Sequence, residues 1–239
     1  KIYVNMPEEL LSVISLLKGM LDHYFSELVQ LRIADPHWPA STKHMLTIGD
    51  SLRRRLERGE KTAIVYRGLV LQSICVKLLH AVNLAETQGM SALRSYMVKL
   101  NDEGKPSGSK GGRELISRKE YLEAWAIVRD TKVEHPKISR VMSLVSQIIG
   151  AGDGSKVMVF TQYRDTCDML VEKLSVIPGA TVAKLIGQSK GGLTQKAQIG
   201  ILEEFRNGVF NVIVSTSVGE EGLDITSTNA VIFYEPVPS

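Results

Sequence analysis

A change of rhythm at His135-Pro136 does most to narrow what this 239-residue chain can fold into. Before it, apolar residues recur at helical spacing. Leu10, Ile14, Leu17, Leu21, Leu28 and Leu31 fall on one face at intervals of three, four or seven. Trp38-Pro39-Ala40-Ser41 breaks that helix, Ser41 or Thr42 can cap the next one, and Gly59 stops it near Arg58. Ile64, Leu71, Leu78 and Ala85 then repeat every seven, with Ile74, Cys75 and Val82 beside them, so a long helix buried along one stripe is expected. Gly89 interrupts it, and residues 91–100 and 117–130 read as two further helices. Between these lies NDEGKPSGSKGG, residues 101–112. Its four glycines and one proline predict a flexible loop.

After Pro136 the texture alternates. Residues 138–149 read as a helix, and Val157-Met158-Val159-Phe160 is a short apolar run suited to a parallel strand buried on both faces. Residues 165–174 read as helical, 181–186 as extended and 194–205 as helical again, with 210–214 and 230–234 as two more buried strands. Strand–helix alternation implies an α/β domain with a parallel sheet and flanking helices, behind an all-α first half. Ligands on such sheets bind at the carboxyl ends of the strands, so the loops starting near Thr161, Gly187, Ser215 and Glu235 share the candidate edge.

Composition removes several function classes. Cys75 and Cys167 lie in separate helical patterns, and the five histidines are scattered, so neither a disulfide framework nor a metal site is expected. No uninterrupted apolar run approaches the roughly 18 residues that span a bilayer, and KIYVNMPEE lacks the features of a signal peptide. No membrane role is expected, and the two separate cysteines fit a reducing cytosol. The net charge of +3 is uneven: residues 1–133 carry 20 Lys/Arg against 15 Asp/Glu, and residues 134–239 carry 9 against 11. A basic first half suits a polyanion, although solubility alone explains an excess of this size.

The stretch VSTSVGEEGLD, residues 214–224, carries the most information. Small hydroxyl residues, two glycines and an aspartate follow an apolar strand, as in a loop held close to a phosphate or sugar. Phe160-Thr-Gln-Tyr-Arg164, Gly192-Leu-Thr-Gln195, Thr216-Ser-Val-Gly-Glu-Glu-Gly-Leu-Asp224 and Phe233-Tyr-Glu-Pro-Val-Pro-Ser239 resemble motifs IV, IVa, V and the strand after V of superfamily 2 helicases. The block from Thr216 through FYEPVPS is similar to the Hef/FANCM branch in particular, and Glu86-Thr-Gln-Gly-Met-Ser-Ala-Leu-Arg94 resembles that branch's helical insertion. The resemblance implies that residues 1–6 and 134–239 form the second RecA-like motor domain, cut before motif VI, and that 7–133 form a thumb-like helical insertion. A Walker A loop, GxxxxGKS/T, and a DEAH-type box do not occur in these residues. The implied cofactors, ATP and magnesium, therefore belong to the complete enzyme, with none held tightly here and no hydrolysis by these residues alone.

The resemblance also implies a set of contacts. In motif V, Thr216, Ser217 and Gly219 face the nucleic acid, while Gly222 and Asp224 face the nucleotide. Glu220 and Glu221 have no assigned role. In motif IV, Thr161, Gln162, Tyr163 and Arg164 offer hydroxyls and a cation to backbone phosphate. The competing reading has Tyr163 packing and Arg164 paired with Asp165 or Asp168. In motif IVa, Gly187, Gln188, Thr194 and Gln195 flank a turn and open a helix, whose free amides attract phosphate. Thr194 is an N-cap in either reading. In the first half, Arg54, Arg55 and Arg58 suit a duplex arm, and a solvated helix face is the alternative. Trp38 and Trp125 read as packing residues.

The function implied is part of an ATP-dependent DNA helicase or translocase acting on forked or branched DNA. The implied partners are that DNA, the first RecA-like domain of the same polypeptide and, in the complete protein, a C-terminal nuclease domain. The expected location is the cytoplasm with the chromosome, or the nucleus in a eukaryote. Two rivals remain at this level: an RNA-directed motor of the RIG-I or Dicer kind, and a non-motor module that clamps branched DNA.

Overall fold

The computed structural model describes residues 4–152, 154–187, 192–216 and 228–235. Two compact units separate by their internal contacts: Met6–Glu134, and His135–Ser239 joined by Lys1–Asn5.

The first unit is a helical bundle. Helix α1 (Glu8–Gln30) opens with Glu8 and Glu9 against the positive end of its dipole, and buries Leu10, Val13, Ile14, Leu17, Met20, Leu21, Tyr24 and Leu28. Helix α2 (Thr42–Glu57) is capped by Ser41, whose hydroxyl accepts from the His44 amide, and ends before Gly59 at φ 88°. Helix α3 (Ala63–Thr87) is the central element, packing against α1, α2, α4 (Met90–Glu103) and α5 (Lys110–Ile116). Among the described residues it is the one helix long and apolar enough to cross a membrane, although Arg67, Lys77 and Glu86 interrupt its apolar run. Its apolar surface is spent instead on the bundle core, where ten of its residues are buried. Helix α6 (Lys119–Asp130) closes the bundle against α1 and α4.

The segment 101–112 departs from the flexible loop expected of it. Its first residues continue α4, and its last open α5 under a cap from Ser109, whose hydroxyl accepts from Gly112. The glycines serve close approach. A Cβ on Gly111 would stand 3.3 Å from Ile74 of α3, and one on Gly108 would stand 1.8 Å from the Glu103 carbonyl. A composition that suggests freedom is used here to let backbone touch its neighbours.

The second unit begins with α7 (Pro136–Gly150), with Pro136 at its first position and His135 accepting from the Lys137 amide. The strands β1 (Val157–Phe160), β2 (Val182–Leu185), β3 (Val212–Ser215) and β4 (Ala230–Phe233) alternate with α8 (Arg164–Ser175) and α9 (Gln195–Arg206). The described strands form a parallel sheet in the order β2-β3-β1-β4. Successive strand residues face opposite sides. Val157, Val159, Val212 and Val214 therefore pack with α7 and α8, while Met158, Phe160, Ala183, Leu185 and Ile213 pack with Phe205 of α9. That is why the strands are apolar throughout. The register aligns Phe160 with both Ser215 and Phe233, and Leu185 with Ser215, so all four strands end at one level.

Candidate nucleic-acid interface

The common level of the strand ends brings four turns to one edge. Thr161, Ile186, Thr216 and Tyr234 each follow the last residue of a strand. Backbone hydrogen bonds fix them together: the Thr161 amide donates to Ser215 at 2.9 Å, the Thr216 amide to Leu185 at 3.2 Å and the Tyr234 amide to Phe160 at 2.8 Å. Thr216 is half-buried and stands at the root of motif V. Ser217, Gly219, Gly222 and Asp224, with Glu220 and Glu221, lie outside the described residues, as does Gln188.

Motif IV divides into a buried part and an open part. Thr161 is 3% exposed and donates its hydroxyl to Glu235 Oε1 at 2.9 Å, while the Gln162 amide donates to Glu235 Oε2, also at 2.9 Å. The expectation that Thr161 itself offers a hydroxyl to phosphate is therefore corrected: burial and the carboxylate commit that hydroxyl to the turn. Gln162 is exposed, and Tyr163 and Arg164 are half-buried. Arg164 donates to the Gly187 carbonyl at 3.3 Å, which links the motif IV turn to the motif IVa turn. Asp168, offered as a partner for Arg164, is in an ion pair with Lys184.

In motif IVa, Thr194 is exposed and caps α9, its hydroxyl accepting from the Ala197 amide at 3.3 Å, and Gln195 is the exposed first residue of that helix. Beneath them is a residue that sequence reasoning missed. Gln198 is 7% exposed and donates to the carbonyls of Ile186 and Leu193, both at 3.1 Å. It ties together the two ends of the loop that carries Gly187. An amide on the same helical stripe as Ile201, Leu202 and Phe205 was the available signal.

Glu235 was placed at this edge by the sequence as the start of a loop, but without a role of its own. It is 5% exposed and holds the two donors described above. Lys137 of α7 lies with its Nζ 5.3 Å from the Tyr234 ring centre. Burial draws the Lys137 pKa downward, and the neighbouring Glu235 charge works against that.

In the bundle, Thr47, Asp50, Ser51, Arg54, Arg55 and Arg58 of α2 and its end line a shallow groove of about 430 Å³. The three arginines are not equivalent. Arg55 is held by both Glu60 oxygens, at 2.8 and 2.5 Å, while Arg54 and Arg58 are exposed and have no ion pair among the described residues. Arg53 pairs with Asp50 at 2.6 Å. Charge open to a partner here is therefore that of Arg54 and Arg58, with Arg55 held to one side. Trp38 stacks on His44 with ring centres 4.6 Å apart, and Trp125 packs against the bundle core. Arg94 of the segment 86–94 donates to the carbonyls of Val128 and Thr131 and so finishes α6; its role is architectural. No group of three or more metal-ligating side chains occurs among the described residues.

The two halves match two family models. Residues 9–135 match "Putative ATP-dependent RNA helicase, helical bundle", and residues 137–239 match "Helicase conserved C-terminal domain". A Methanocaldococcus jannaschii protein described as "Putative ATP-dependent RNA helicase" is 36% identical over 74% of this chain, and the ATP-dependent DNA helicase MPH1 of Pyricularia oryzae is 32% identical over 76% of it. The chain spans only 22% and 18% of the lengths of those two relatives. Among solved structures, the Hef helicase domain of Pyrococcus furiosus superposes on 99% of the chain with a TM-score of 0.84 and 34% identity, and the chain covers 49% of that structure.

Proposed function

Because this chain belongs to the superfamily 2 helicases of the Hef and Mph1 kind, with their helical bundle and helicase C-terminal domain, we propose that it is half of a DNA motor acting on forked or branched DNA. The likeness of almost the whole chain to the Hef helicase domain carries the reading. The edge at the strand ends grips the tracked strand by its backbone, through Gln162, Tyr163, Arg164, Gly187, Thr194, Gln195 and Thr216. None of these groups needs to read a base, so recognition rests on charge and shape. The bundle engages a duplex arm at the groove of Arg54 and Arg58. The family uses ATP with magnesium, and turnover requires the first RecA-like domain. That domain would close on this one around the nucleotide, with Gly222 and Asp224 facing it.

A second reading has a specific observation in its favour. The bundle's family model and the archaeal relative both carry RNA helicase in their descriptions. Duplexes of equal length and sequence, one DNA and one RNA, separate the two. In a motor containing this chain, preference for DNA supports the first reading and preference for RNA the second. In the same motor, Thr216→Val should weaken single-strand affinity about two- to tenfold at low salt without lowering the melting temperature, as expected for one lost hydrogen bond. Unchanged affinity removes Thr216 from the interface.

A further inference from the structure

We propose that Glu235 is a positioning residue for the strand-gripping edge, acting through Thr161 and Gln162; this rests on the motor reading above. The carboxylate is 5% exposed and divides its oxygens between two different parts of one turn. Oε1 takes the Thr161 hydroxyl, and Oε2 takes the Gln162 amide, each at 2.9 Å. The Thr161 hydroxyl in turn lies 3.5 Å from the Tyr163 amide, and the Thr161 amide is bonded to Ser215, the residue before Thr216. One carboxylate at the end of β4 therefore sets the path of the backbone from Thr161 to Arg164, and does so in register with the root of motif V. Arg164, at the end of that path, reaches across to Gly187.

The chemistry suits a rigid support. The two donors are met by two different oxygens, and a neutral amide of this size offers one acceptor oxygen where the carboxylate offers two. Hydrogen bonds to a charged acceptor are also stronger than neutral ones. Without Glu235, the buried Thr161 hydroxyl and the Gln162 amide lose this acceptor, and the turn relaxes to find others. Glu235 itself is covered and is not among the residues proposed to grip the strand. Its loss should raise the strand concentration needed, and leave the rate at saturation in place.

The test uses the full-length motor with Glu235→Ala, Glu235→Gln and Thr161→Val. Amide exchange at Gln162 reports the turn, and strand-stimulated ATP turnover reports the edge. Glu235→Ala should expose the Gln162 amide to exchange and raise the half-saturating strand concentration about tenfold, with turnover at saturation within about twofold. Glu235→Gln and Thr161→Val, which each keep an acceptor for the Gln162 amide, should give about threefold effects. A half-saturating concentration unchanged in all three variants overturns the proposal. So does an equal fall in saturated and unsaturated turnover together with a lower melting temperature, which marks a structural residue only. Should Glu235→Ala fail to fold, Thr161→Val decides by the same criteria. Failure of the motor reading looks different: the wild-type protein itself would show no strand dependence.

Discussion

At the edge of the sheet, single residues divide into those that face out and those that hold the edge in place. Thr194 was legible in the sequence because a threonine before a helical run after glycines is a cap whatever else it does. Thr161 was misread for an equally physical reason. A hydroxyl just past a strand looks available until a carboxylate 74 residues later in the chain is folded against it. The roles of Gln198 and Glu235 were not legible because a buried polar group is recognised by its partners, which lie elsewhere in the chain. Gln198→Leu should therefore cost about 1–3 kcal/mol, because it leaves the Ile186 and Leu193 carbonyls without their donor. Chemical denaturation of both proteins checks this, and exchange should quicken in the residues around Gly187 before it does in β1.

Elements were easier to read than residues, because periodicity survives without knowledge of partners. Every helix and strand expected from spacing has a counterpart among the described residues, with ends shifted by a few positions. The exception is residues 101–112, where glycine was read as freedom and is used for contact with α3 and α4. What spacing does not reveal is the cross-links between helices. Arg67 of α3 donates to both Glu27 oxygens of α1, at 2.7 and 2.8 Å, and to both Glu114 oxygens of α5, at 2.6 and 2.9 Å. These groups are about 30% exposed, between a surface pair of little worth and a buried pair of several kcal/mol. Arg67→Met should cost about 2 kcal/mol on that scale. The hydrogen bonds from Arg67 hold the Glu27 carboxyl below its ordinary pKa, against the opposing effect of burial. A depressed carboxyl contributes stability that is present above its unfolded value, near 4.5, and is lost as pH falls through the lower folded value. Melting temperatures of wild type and Arg67→Met should converge as pH drops below 4.5; a constant gap would show that the pair's charge is not what stabilises the bundle.

For the molecule as a whole, we propose that branch recognition belongs to this half of the motor, with Arg54 and Arg58 on the bundle and a backbone-gripping edge on the sheet. The charge asymmetry of the sequence pointed to the first half, and in the α2 groove the exposed cations without an ion pair among the described residues are Arg54 and Arg58, beside the paired Arg55. Each phosphate contact steepens the log–log salt dependence of binding by about 0.9, so general attraction and shape recognition respond differently to salt. The most direct measurement is fluorescence anisotropy of the chain with a forked DNA and with a linear duplex of equal charge, at two salt concentrations, for wild type and for Arg54→Glu with Arg58→Glu. Tighter fork binding that persists as salt rises, and that the double variant loses while its linear binding falls less, is the result predicted here. Equal binding to fork and duplex, falling steeply with salt and equally in the variant, would contradict it and leave only a basic surface.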